Sequence, residues 1–141
     1  MSRLLGLLLL LAVAAPALSA QAAAPATQSN APEIFIREPR DGATVPRTFT
    51  VVFGLKNWGV APATVNFPRT GHFHILINAE AGAVGTVIPA DSLHRHYGTG
   101  AIETSLTLAP GTYTLRAVLG DHEHKVISHE LVSRPIRITV R

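Results

Sequence analysis

The sequence predicts an all-β domain, an antiparallel β-sandwich of about seven strands and of immunoglobulin-like or cupredoxin-like type, after a cleaved N-terminal signal peptide. Three observations carry that expectation. Apolar and polar residues alternate at period two over several short runs. Turn signals separate the runs, at Pro39 to Gly42 (PRDG), Ala109 to Gly111 (APG) and Gly120-Asp121. Beyond the N-terminal apolar run, no segment carries a helical stripe.

The chain opens MSRLLGLLLLLAVAAPALSAQAAAPA: one arginine, an apolar run from Leu4 to Ala15, then small residues. That order is the pattern of a secretory signal, and its apolar core is too short for a comfortable membrane span. Cleavage is expected after Ala22, with the bond after Ser19 as the alternative, so residues 1–22 are read as signal peptide. The protein is then expected to be periplasmic or secreted, with no membrane span once the signal is removed. No cysteine follows that could carry a lipid anchor. Residues 23–32 are Ala, Pro, Thr, Gln, Ser and Asn, too poor in apolar side chains to pack, and read as a flexible leader. A single domain spans 33–141.

Within it, Phe49, Val51, Phe53 and Leu55 share one strand face. The same parity joins Phe73, Ile75 and Ile77; Ile102, Thr104, Leu106 and Leu108; Tyr113, Leu115, Ala117 and Leu119; and Ile136, Ile138 and Val140. The stretch from Ala79 to Gly100 breaks the rhythm, holds five glycines or prolines, and reads as a long functional loop.

Composition excludes several function classes. Without cysteine there is no disulfide framework, no thiolate ligand and no thiolate nucleophile. Twelve Lys and Arg against nine Asp and Glu, scattered along the chain, are too small an excess to organise a nucleic-acid-binding face. No serine or threonine stands in a recognisable nucleophile motif, and no paired-carboxylate site supports a hydrolase.

The histidines are the distinctive feature. All seven fall between His72 and His129, and six form three H-x-H pairs: His72 with His74, His94 with His96, His122 with His124. On a strand, positions i and i+2 point to one face, which brings two imidazoles within reach of one ion. In GHFHILIN, from Gly71 to Asn78, Phe73, Ile75 and Ile77 take the core side and set His72 and His74 outward. The pair His94 and His96 falls in the long loop. His122 and His124 follow the Tyr113 to Leu119 strand, and their parity continues its outward set. His129 stands alone. Asp91 and Asp121 lie beside the second and third pairs, placed to orient an imidazole through its other ring nitrogen. The metal expected is copper(II) or zinc, copper(II) being preferred outside the cytoplasm. Both take nitrogen ligands, and the lack of cysteine and of any methionine beyond Met1 excludes thiolate and methionine-rich copper centres. No organic cofactor is expected.

The segments FGLKNWGVAPA, TGHFHILIN, HRHYGTGAIET, LAPGTYTL and LGDHEH resemble an uncharacterised family of exported bacterial domains, catalogued as a domain of unknown function. Its corresponding stretches read approximately GHHHLLID, HxHFGxGQTE, LAPGxHTLQL and LGDxxHxPH, and the likeness runs from Ile34 to Val140. It implies that His72, His74, His94, His96 and His124 match family histidines and that Glu103 and Asp121 match family acids. This chain differs at Phe73, Asn78, Ala101 and Ile127, and His129 is a displaced neighbour of the last.

Three functions compete. The first is an exported module binding copper(II) or zinc through His72, His74, His94, His96, His122 and His124, with Asp91, Glu103 and Asp121 behind them. Such a module would buffer, sense or deliver the metal, with another periplasmic protein as a partner. The second is a redox enzyme similar to copper-zinc superoxide dismutases, whose strand motif is similar to Gly71-His72-Phe73-His74 but whose cysteine pair and zinc loop are missing here. The third is a metal-free envelope interaction domain whose histidines titrate near pH 6.5.

Overall fold

A computed structural model describes residues 30–141. The signal peptide and most of the leader expected from the sequence lie outside the described residues. Nine strands follow in order: β1 (Glu33–Glu38), β2 (Thr44–Val45), β3 (Thr48–Lys56), β4 (Gly59–Val60), β5 (Thr70–Ile77), β6 (His94–Tyr97), β7 (Glu103–Thr107), β8 (Gly111–Gly120) and β9 (Ile136–Val140). They form two sheets, one of three strands in the order β1-β3-β7, and one of six in the order β2-β9-β8-β5-β4 with β6 also paired to β5. The architecture is the all-β sandwich that the alternation predicts.

The alternating residues explain why the sheets face each other. Val51 and Phe53 of β3, Leu106 of β7, Phe73 and Ile75 of β5, Leu115, Ala117 and Leu119 of β8, and Ile138 of β9 form one buried cluster. The rings of Phe53 and Phe73 stack across the sheets with centroids 4.2 Å apart. Each fully buried side chain of this size contributes about 1.5–3 kcal/mol relative to exposure. Ile102 departs from its expected face and is 60% exposed, because β7 begins one residue after it.

Three features differ from the expected fold. Two short pairings, β2 with β9 and β4 with β5, are parallel rather than antiparallel. The loop expected from Ala79 to Gly100 contains β6, so His94 and His96 stand on a strand paired with β5. The sequence HRHY hides that strand because its single core-facing apolar contact is Tyr97, packed 6.1 Å from the Phe53 ring. Third, the outer face of β5 is covered. Leu76, Val118, Ile88 and Val126 make a second buried cluster on the side opposite Phe73. The cover is tied down by backbone hydrogen bonds between residues 85–88 and 124–126, including Ile88 N–H to the His124 carbonyl at 2.8 Å and Val126 N–H to the Thr86 carbonyl at 3.0 Å.

Candidate metal centre

Register places the first three histidines. His74 on β5 is directly opposite His96 on β6, and residues opposed across an antiparallel pair project to the same face. His72 shares that face two residues away on β5. Its neighbour on β8 is Gly120, which has no side chain to fill the space. A Cβ at Gly120 would stand 2.9 Å from His74 Nε2, and one at Gly98 would stand 2.5 Å from His96 Nε2. The two glycines are therefore the room that the imidazoles occupy.

His124 arrives from the turn after β8. The Asp121 carboxylate accepts hydrogen bonds from the backbone N–H groups of Glu123 (2.9 Å) and Lys125 (2.8 Å), and the His124 N–H donates to the Asp121 carbonyl (2.9 Å). His124 sits in the left-handed region at φ +62°, which reverses the chain and carries its ring back over the β5 face. That reversal also corrects the parity expected for His122 and His124. The strand ends at Gly120, and within the turn His122 is exposed while His124 is half-buried.

Four rings converge. The centroids of His72, His74, His96 and His124 lie 4.8–5.8 Å apart in all six pairings. His72 Nε2 and His74 Nε2 are 3.0 Å apart, and His96 Nε2 and His124 Nε2 are 3.3 Å apart. One ring nitrogen from each of His72, His74 and His96 falls within 4.8 Å of the other two. Ligands at 2.0–2.1 Å from one tetrahedral ion stand about 3.3 Å from each other, and cis ligands of a square ion about 2.9 Å. The two Nε2 contacts match those spacings, so the arrangement is compatible with a shared metal ion.

Burial sets the charge state. His72 and His74, expected outward, do face away from the main core, but the second cluster leaves them only 1% and 2% exposed. Desolvation, reinforced by the His124 and His96 rings and partly offset by Asp121, lowers the His72 pKa to about 4. Desolvation and the neighbouring rings lower that of His74 to about 3. His96 is lowered too, first by burial and then by His124. These rings are neutral at neutral pH, as ligands must be. The protein gives Nδ1 of His72 and of His74 no hydrogen-bond partner, so the contact between their Nε2 atoms is the one ring-nitrogen contact these two buried imidazoles share. With the proton on Nδ1, each Nε2 lone pair is free to hold a cation placed among them.

The remaining expected residues are placed elsewhere. His94 Nδ1 lies 2.7 Å from Asp91 Oδ1, an imidazole–carboxylate pair of the expected kind, but its ring is outside the four-ring cluster. The hydrogen bond from His94 holds the Asp91 carboxyl below its usual range. Asp121 builds the turn that carries His124 and bonds backbone rather than an imidazole. Glu103 is exposed at the start of β7, in the other sheet. His129 is exposed in a short 3-10 turn at His129–Leu131. Gly98 and Gly120 are the contributors that reasoning from ligand types passed over. Their signal was a glycine following an H-x-H strand and a glycine closing the strand before DHEH.

Residues 51–141 match a domain family described as Domain of unknown function (DUF4399). No curated protein and no solved structure matches the chain.

Proposed function

We propose that this chain, which belongs to the DUF4399 family of domains of unknown function, is a metal-binding module that holds one copper(II) or zinc ion through His72, His74, His96 and His124. The observation that carries the reading is the convergence of four Nε2-bearing rings from three separate segments on one place, two of them buried and two facing an open side. A purely structural role for the four packed imidazoles is a poorer account, because two fully buried rings whose one shared ring-nitrogen contact is with each other leave polar groups under-satisfied, which is unfavourable inside a protein. The metal-free, pH-sensitive reading is also weakened, since burial takes His72 and His74 far below the neutral range. The N-terminal sequence supports export, where such a module would buffer, sense or deliver the ion to another periplasmic protein.

The test is a competitive titration of untagged, metal-free protein with copper(II) and with zinc. One equivalent should bind, and the joint substitution His72→Ala with His74→Ala should lower affinity by about a hundredfold or more, since two of four ligands are lost. His122→Ala and His129→Ala should bind as the parent does. Unchanged affinity in the double variant would defeat the assignment.

A further inference from the structure

The four imidazoles are not equally enclosed. His72 and His74 sit beneath the second apolar cluster, whereas His96 is exposed and His124 half-buried. On that open side lies a cleft of about 360 Å³, bordered by His74, His96 and His124 and walled by Val87, Ile88, Pro89 and Ala90. Glu123 is its one acidic lining residue, and its carboxylate is paired at 2.9 Å with the Lys125 ammonium. A water molecule occupies about 30 Å³ of liquid, so the cleft has room for a small molecule against the ring nitrogens.

The donor set decides which kind of molecule belongs there. Four neutral imidazoles leave both positive charges of a divalent ion uncompensated, unlike ligand sets built with thiolates or carboxylates. The apolar wall keeps the local dielectric low, which strengthens the pull of that charge on an anion. Among the described residues, the one carboxylate lining the cleft is already engaged by a lysine. Copper(II) and catalytic zinc both accept a further ligand when one face is open.

We propose that the cleft is a binding site for a small monodentate anion, taken up as an additional ligand on the metal ion at its His96–His124 side. The inference rests on the metal reading above and goes beyond it. A closed storage site would have no such face, and an ion reached this way can exchange ligands or act on one.

The experiment is a titration of the copper(II)-loaded full chain with sodium azide, followed by the ligand-to-metal charge-transfer absorption and by electron paramagnetic resonance, with bound copper measured in parallel. Saturable spectral change with copper retained is the expected result. Val87→Trp and Ala90→Trp, each filling the cleft from its wall, should keep one equivalent of copper and weaken azide by about tenfold or more. Glu123→Gln should tighten azide about threefold by removing a negative charge from the mouth. Full copper loading with no azide response would overturn this proposal and leave the metal centre standing. Failure to load copper or zinc at all would instead overturn the metal reading. An azide response untouched by both tryptophans, or one seen only in Glu123→Gln because Glu123 itself holds the position, would also overturn the proposal.

Discussion

His74 shows how one side chain sets the chemistry of the centre. It is 2% exposed, directly across from His96, and within 3.0 Å of His72 Nε2. Burial lowers its pKa to about 3 and that of His72 to about 4, from 6.5 in an unfolded chain. The unfolded state therefore binds more protons below pH 6.5, and stability declines as the medium is acidified. For metal-free protein, the urea midpoint should be flat above about pH 6.5 and fall steadily as the pH drops toward 4 and then 3. Replacing His74 by Leu should remove part of that slope. A midpoint that stays constant from pH 7 to pH 4.5 would show that the rings are not held neutral by the fold.

At the scale of elements, β5 is the strand on which everything depends, because both of its faces are buried. Its sequence announces one face through Phe73, Ile75 and Ile77. The other was legible only in part: Leu76 breaks the alternation, and the run Ile75-Leu76-Ile77 has the continuous apolar character of a strand covered on both sides. What covers it could not be read locally. The cover is made by residues 84–90 and 121–132, distant in sequence and poor in alternation, and it forms through the backbone bonds that join them. The ligand types were legible as H-x-H spacing on a strand. Which pairs stay together was not, because that depends on the strand register opposing His74 to His96 and on the left-handed turn at His124.

The two glycines offer a test at this same scale, because identical substitutions should fail in different ways. An alanine at Gly98 meets the exposed His96 ring, which can swing toward solvent, and the Cβ of half-buried Ala63 at 2.9 Å, which can yield only by a shift of its loop. Metal affinity should then fall about tenfold, with a smaller loss of melting temperature than at Gly120 because the loop carrying Ala63 is less tightly buried. An alanine at Gly120 meets buried His74 and, at 3.2 Å, Ile88 Cδ1, neither of which has free space. It should cost about 1–3 kcal/mol of stability as well as metal affinity. Thermal melts of both variants with and without zinc decide the matter. Equal melting temperatures for the two metal-free variants would contradict this account of the cradle.

For the molecule as a whole, the centre lies where segments far apart in sequence meet. β5 brings His72 and His74, β6 brings His96, and the turn after β8 brings His124. An ion bound to all three ties the second apolar cluster to the six-stranded sheet, and an unfolded chain presents no such arrangement. Binding confined to the native state raises stability by RT ln(1 + [L]/Kd), about 2.7 kcal/mol when the free ion is at a hundredfold of Kd. In a domain of this size that corresponds to an upward shift in melting temperature of roughly 10 °C or more. Copper(II) and zinc should each produce it, magnesium should not because it prefers oxygen ligands, and chelation should reverse it. The shift should vanish with His96→Ala and His124→Ala combined, since these two rings supply two of the four ligands and are the ones that reach the ion from outside β5. It should survive His94→Ala, whose ring is held by Asp91 outside the four-ring cluster. If the His94 variant lost the shift while the paired variant kept it, the ion would have to be relocated toward the Asp91–His94 pair and the four-ring assignment abandoned.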